Sequence, residues 1–230
     1  MVLMSRDKFK EMRKDLVKKL VYEGVIRTAN VKKAMLTVPR EYFVPLSYRD
    51  YAYEDHPLPI PAGQTISAPH MCAIMCEALD LKEGERLLEI GTGSGYNAAL
   101  CAEIIFPSDK EREGLIVSVE IFKELAIFAK NNLRKAGYDD RIHVIVADGS
   151  MGAPVRISFD KILVTAAAPD VPAPLLNQLN NGGRMVIPIG SEFFQELYLV
   201  VRDIHGNIHR RSLGGCIFVK LRGKYGFTTS

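Results

Sequence analysis

The spacing of apolar positions changes several times along the chain, and each change marks an element. Phe9, Met12, Leu16 and Leu20 recur at three- and four-residue steps, the apolar face of a helix. Lys8, Lys10, Arg13, Lys14, Lys18 and Lys19 fall mostly on its other side and read as a solvated face. Gly24 suits a C-cap, and Asn30 suits the cap of a second short helix over 31–37 that stops before Pro39. Residues 39–67 break the rhythm with prolines at 39, 45, 57, 59 and 61, and with Tyr42, Phe43, Tyr48, Tyr51 and Tyr53. Regular structure is not expected there. A long ordered loop of this kind usually carries function and would pack over one end of a sheet.

Regularity returns after Ser67. Met71, Ile74, Met75, Ala78 and Leu79 share a helix face, and a serine followed by Pro69 is a helix-start signature. By spacing alone Ser67 therefore reads first as an N-cap, and His70 as a packed or solvated side chain. Leu87, Leu88 and Ile90 form a short apolar run suited to a buried parallel strand, followed by glycines at 91, 93 and 95 and a helical stretch over 96–105. Further strands are predicted over 115–119, 142–147, 159–165, 184–189, 196–202 and 216–221, with helices over 121–135 and 174–179 and a turn at His205-Gly206-Asn207. Alternating helices and strands predict an α/β fold: a doubly wound, mostly parallel Rossmann-like sheet with an N-terminal helical extension and partly antiparallel C-terminal strands. The whole of 1–230 is expected to be one domain, with 1–67 supplying helices and a cleft loop and 68–230 the core.

Composition narrows the picture. Among 230 residues, 47% are hydrophobic and 25% charged, an ordinary globular balance. The 30 basic and 27 acidic residues leave a net charge of +3, too even to imply nucleic-acid binding. No apolar run approaches the roughly 18 residues needed to cross a bilayer, and the first ten residues lack the apolar core of a secretory signal. Cys72, Cys76, Cys101 and Cys216 form no C-x-x-C pair and have no nearby partner pair for zinc, so reduced thiols in a cytoplasmic protein are expected and no metal.

Candidate chemistry gathers at the glycine turn. Strand, glycines and helix together aim bare N–H groups and a helix N-terminus at a ligand. The spacing is G-x-G-x-G, whereas the dinucleotide fingerprint is G-x-G-x-x-G, which disfavours a dehydrogenase. Glu89 before the turn and Glu120, 25 residues beyond Gly95, suit a cationic ligand bearing hydroxyls. The pattern resembles the nucleoside site of class I S-adenosylmethionine (SAM) methyltransferases. Asp148-Gly149 fits either an acceptor for an exocyclic amine or a plain turn.

With the remaining motifs the chain resembles the protein-L-isoaspartate (D-aspartate) O-methyltransferases, over about 38–226. The motifs are Val38-Pro-Arg-Glu41, Gly63-Gln-Thr-Ile-Ser67 with Ala68-Pro-His-Met71, Leu88-Glu-Ile-Gly-Thr-Gly-Ser-Gly-Tyr96, Asp148-Gly149, Val164-Thr-Ala-Ala-Ala-Pro169, and Gly182-Gly-Arg184 with Ile187-Pro188. The resemblance implies methyl transfer from SAM, released as S-adenosyl-L-homocysteine, to the free α-carboxylate of L-isoaspartyl residues in damaged proteins. The ester then collapses to a succinimide that hydrolyses partly to aspartate. It also implies Ser67 as the active-site serine and Thr65, Ile66, Ala68 and His70 as the cofactor-side loop. Glu89, Gly91, Thr92, Gly93, Ser94, Gly95, Glu120, Asp148 and Gly149 are implied as the cofactor site. Val219, Lys220 and Leu221 are implied as a substrate-contacting edge, with Lys220 standing where the family usually has proline and Ala147 where it usually has glycine.

The chemistry agrees with this reading. An isoaspartyl link leaves an α-carboxyl with a pKa near 3.5, ionised at neutral pH, so it needs no general base. Thr165-Ala-Ala-Ala-Pro169 is small and uncharged, unlike the acceptor-bearing Asp/Asn-Pro-Pro-aromatic motif of nucleic-acid amino methyltransferases. Other acceptors, and binding of isoaspartyl chains without turnover, are the competing readings. A monomer acting on isoaspartyl proteins and peptides, with neither nucleic acid nor membrane as partner, is expected.

Overall fold

The computed structural model describes residues 6–107 and 113–227; most of the charged loop expected over 107–114 lies outside the described residues. Helices α1 (Arg6–Tyr22) and α2 (Ala29–Thr37) open the chain. The cap of α2 is Thr28 rather than Asn30: its hydroxyl accepts from the Val31 amide at 3.3 Å. The buried Glu77 carboxylate explains the shift, since one of its oxygens collects the Arg27 and Thr28 amides, both at 2.8 Å, and fixes Thr28 in an extended conformation.

Residues 39–67 are more regular than their composition predicts. Two 3₁₀ turns (Arg40–Tyr42 and Leu46–Tyr51) lead into a hairpin of β1 (Leu58–Ile60) and β2 (Gln64–Ile66), with Leu58 opposite Ile66. Pro59 is tolerated because this ribbon has only two strands. Helix α3 (Pro69–Leu79) follows, with Ala68 as its N-cap and Pro69 at its first position, so Ser67 lies outside the helix and caps nothing.

A seven-stranded sheet in the order β5-β4-β3-β6-β7-β8-β9 forms the body. Strands β3 (Arg86–Ile90), β4 (Leu115–Glu120), β5 (Ile142–Val146), β6 (Phe159–Val164) and β7 (Leu179–Gly190) are parallel. Strands β8 (Gln195–Arg202) and β9 (Ile208–Cys216) extend the sheet antiparallel. Helices α4 (Tyr96–Ile105) and α5 (Lys123–Ala136) follow β3 and β4, and the short α6 (Ala173–Gln178) precedes β7. Both faces of the parallel strands are covered, so β3 is apolar on both: Leu87 joins one core layer, Leu88 and Ile90 the other. Glu89 alternates onto the Leu87 face. The first layer also takes Phe9, Leu16 and Leu20 of α1, so the N-terminal helices share the core of the sheet.

Two strands differ from their sequence expectation. Strand β7 begins at Leu179, opposite Phe159, because a register shift absorbs residues 180–183. The last strand is β9, whereas 216–221 was expected to supply it. An edge strand has one neighbour and faces water, so His209, Arg210, Arg211 and Ser212 leave no apolar signature. The apolar stretch after it runs beside Ala167 through a single bridge, with Val219 O accepting from Ala167 N at 2.8 Å and Leu221 N donating to Ala167 O at 2.7 Å.

Candidate active site

Strand β3 lies between β4 and β6, the point where the winding reverses, and ligands collect at the carboxyl ends of strands there. Three hollows open at that end and meet at Thr65 and Thr165, which line all of them. The first is bounded by Gly91, Glu120, Phe122, Gly149, Leu221 and Arg222. The second lies between Ser67, Gly93, Ser94, Tyr96 and Asn97. The third is an open groove of about 730 Å³ along Ser67, His70, Met71, Ile217 and Phe218. Its volume is that of an ordinary ligand site, and its open side leaves room for a chain to enter.

Glu120 ends β4 with its carboxylate aimed back at the turn: one oxygen accepts from Gly93 N at 2.9 Å, the other from Phe122 N at 3.0 Å. Each oxygen keeps a lone pair for a hydroxyl in the first hollow. Glu89 is fully buried, with one oxygen accepting from the Ser118 hydroxyl and the other without a partner. Burial pushes its pKa up to about 8; the Ser118 hydrogen bond opposes the rise and the charge of Glu120 adds to it. In the second hollow the Asn97 carbonyl oxygen is also buried and unpartnered. An unpartnered oxygen on the wall of this hollow, with the Glu89 carboxyl behind that wall, suits a cationic group such as an ammonium or sulfonium.

Ser67 lies on the seam of the second and third hollows. Its carbonyl is held from below by Arg40, whose side chain is fully buried; one terminal nitrogen donates to Ser67 O at 2.8 Å and Nε to Ala52 O at 2.8 Å. The other terminal nitrogen has no partner, and the guanidinium stacks 4.9 Å over the Tyr96 ring. No carboxylate pairs with Arg40 among the described residues. His70 is anchored through its amide and Nδ1 to one oxygen of Asp55, both at 2.9 Å, and faces the groove.

Asp148 makes the contacts of a turn and one more. One oxygen caps the short turn at Ser150 (N at 2.9 Å, Oγ at 2.6 Å), and the other accepts from Lys224 N at 2.9 Å. Gly223 passes so close, at φ +116°, that a Cβ there would meet the carboxylate. The chain end is thereby tied down, and Arg222 stacks 5.3 Å over Phe122 as a wall of the first hollow.

Of the residues expected at the site, Thr65, Ile66, Ser67, Ala68, His70, Gly91, Thr92, Gly93, Ser94, Glu120, Gly149, Val219, Lys220 and Leu221 line the three hollows. Glu89, Gly95 and Asp148 stand behind the walls. Lys220 and Leu221 face the first hollow rather than the groove, and the Lys220 ammonium pairs with Glu192 at 2.5 Å. Sequence reasoning did not single out Asn97, Phe122 or Arg222, and gave Arg40 no role beyond its place in the Val38-Pro-Arg-Glu41 motif. Among the described residues, no group of three or more His, Cys, Asp or Glu side chains is placed to hold a metal ion.

Comparison with known proteins bears on this arrangement. The family model described as protein-L-isoaspartate(D-aspartate) O-methyltransferase matches residues 11–226. A protein-L-isoaspartate O-methyltransferase of Hyperthermus butylicus is 56% identical over 221 residues, covering 95% of this chain and 92% of its own. That of Methanopyrus kandleri is 53% identical over 219 residues, with 95% of each chain covered. Among solved structures, a protein-L-isoaspartate O-methyltransferase from Plasmodium falciparum in complex with S-adenosyl-L-homocysteine superposes with a TM-score of 0.82 at 29% identity, over 91% of this chain and 98% of that one.

Proposed function

The chain belongs to the protein-L-isoaspartate (D-aspartate) O-methyltransferase family, and on that premise we propose how its hollows divide the work. The enzyme transfers a methyl group from SAM to isoaspartyl residues of damaged proteins. When bound, SAM supplies the methyl on a sulfonium, an electrophile that needs no activation. Glu120 receives the ribose hydroxyls in the first hollow, and Gly149 with residues 219–222 packs around the base. The second hollow takes the amino-acid end, where Glu89 and Asn97 favour positive charge. The groove brings the isoaspartyl carboxylate to Ser67, whose hydroxyl donates to one oxygen and orients the other. No side chain has to remove a proton. The chain's task is to align the partners and exclude water, which can supply roughly 7–11 kcal/mol.

The observation that carries this reading is the meeting of all three hollows at Thr65 and Thr165, with Ser67 on the seam between two of them. Labelled SAM incubated with two peptides differing only in an isoaspartyl or aspartyl link tests it. Base-labile methyl ester is expected on the isoaspartyl peptide alone; label on both or neither contradicts the reading. We further take residues 1–230 to act as one domain and as a monomer in the cytoplasm, without nucleic acid or membrane as partner. The core shared by α1 and the sheet supports the single domain, and the free thiols support a reducing compartment.

Two expected results follow from the assigned roles. Ser67→Ala should lower turnover about tenfold to a hundredfold, the worth of a hydrogen bond to a charged group, while calorimetry finds SAM affinity nearly unchanged. An unaltered turnover number would remove Ser67 from the mechanism. Glu89 gives the second. With its pKa near 8 and an ordinary value of 4.5, it is mostly protonated in the empty protein at pH 7. A cation nearby favours the carboxylate, so SAM binding should release a proton at pH 7 and tighten as pH rises toward 8, then level off. Glu120 on β4 and the Cys101 thiol on α4 also face this carboxyl. Calorimetry in buffers of different ionisation enthalpy measures the proton, and Glu89→Gln should abolish its release.

A further inference from the structure

The rim of the groove carries large apolar side chains in water. Phe193 is 93% exposed, Phe194 69% and Ile217 90%. The two phenylalanines occupy the tight turn between β7 and β8, where small and polar residues are the usual choice. Isolated exposed apolar residues are ordinary, but these three are neighbours. Strand pairing sets Gln195 opposite Cys216, which brings Phe194 beside Ile217.

The turn is fixed in place. Ser191 N donates to Phe194 O at 2.8 Å, and the Ser191 hydroxyl accepts from the amides of Phe193 and Phe194 at 3.3 and 3.1 Å. The Gln195 side chain accepts from Phe218 N at 2.7 Å and donates to Phe218 O at 3.2 Å, as a neighbouring strand would. Lys220 and Glu192 form a second tie across the same gap. The rim therefore holds its aromatic rings outward on a rigid mount, continuous with Cys216, Ile217 and Phe218 of the groove wall.

We propose that Phe193, Phe194 and Ile217 form a recognition rim for an apolar side chain flanking the isoaspartyl residue in an extended substrate chain. The inference rests on the groove being the substrate's path. Folded proteins bury such side chains and unfolded segments expose them, so the rim favours damage lying in segments that belong inside a native fold. Continuity with the groove selects this occupant, since a chain leaving Ser67 along the third hollow reaches Ile217 and then the turn.

The test is a series of isoaspartyl peptides in a serine-glycine host, with one leucine walked through the positions on either side. The enzyme should show, at one or more positions, a KM about tenfold below that of the all-polar peptide, the fold-change expected from burying one such side chain. Phe193→Ser/Phe194→Ser should bring the ratio of kcat/KM between the leucine and polar peptides close to one. Phe193→Leu/Phe194→Leu should keep most of that ratio, which a merely structural turn would not do. Both residues are exposed, so the fold tolerates the changes. No leucine preference, or a preference that survives the serine pair, overturns the proposal. A sedimentation change from dimer to monomer in the serine pair would assign the rim to a second copy of this chain and also overturn it. Failure of every isoaspartyl peptide to accept a methyl group would instead strike the function assigned to the groove.

Discussion

Replacing Arg40 with methionine should lower both stability and turnover, and turnover by more than the loss of stability accounts for. Arg40 donates to the carbonyls of Ala52 and Ser67 from a fully buried position. Methionine fills similar space but leaves the Ala52 carbonyl unpaired, at a cost of about 1–3 kcal/mol, and leaves the Ser67 carbonyl only the Cys72 thiol at 3.6 Å. Removing a buried cation with no carboxylate partner returns part of that cost. Freeing the Ser67 carbonyl also frees the hydroxyl one side chain away, and a displacement near 1 Å can cost about 10²-fold in rate. Thermal melts and kinetics measured well below the melting temperature separate the two effects. Arg40→Lys should restore the charge but only one of the two carbonyl bonds, and should recover activity in part. Full turnover in Arg40→Met at reduced melting temperature would confine Arg40 to a structural role.

The largest loss of cofactor affinity is expected from Gly91→Ala. Gly91 sits at φ +90°, and an added Cβ would lie 2.5 Å from Thr165 Oγ1. The backbone strain alone costs about 1–2 kcal/mol for a residue with a side chain. The clash strikes a hydroxyl that donates to Gly91 O at 2.6 Å, on a residue lining all three hollows. Together these should weaken SAM binding by at least about a hundredfold, or roughly 2.7 kcal/mol, with the sheet still folded by circular dichroism. Adding Thr165→Ala removes the clash but not the strain, so it should restore only part of the affinity. Unchanged affinity in Gly91→Ala would exclude this turn as the cofactor cradle.

The sequence made the centre of the fold legible because both faces of β3, β4 and β6 are covered. Parallel strands buried on both sides are continuous apolar runs, and the glycine turn stands directly after one of them. Strand β9 was misplaced for the opposite reason. As an edge it carries His209, Arg210 and Arg211, while the more apolar 217–221 stretch makes one bridge. Residues placed by their own loop were easier to locate, as Glu120 and Gly149 at the first hollow were. Arg40 was not, because an arginine beside Pro39 gives no local sign that it will be wholly buried beneath Ser67. Asn97 and Arg222 escaped for a similar reason: their importance comes from what folds against them, not from their neighbours in sequence. Ser67 itself looked like a cap because a Ser-Ala-Pro sequence starts many helices; here the cap is the alanine.

The tie between Asp148 and the Gly223-Lys224 backbone has a consequence for how the enzyme is made. A ribosome delivers residues in order, and N-terminal units fold first. The glycine turn, Glu120 and Gly149 emerge well before Leu221 and Arg222, which wall the same hollow. The first hollow thus stays open on one side until that later segment has emerged. A nascent chain can own its sheet and its serine while this wall is missing, and the hollow closes in one step when residues 221–224 arrive rather than growing with length.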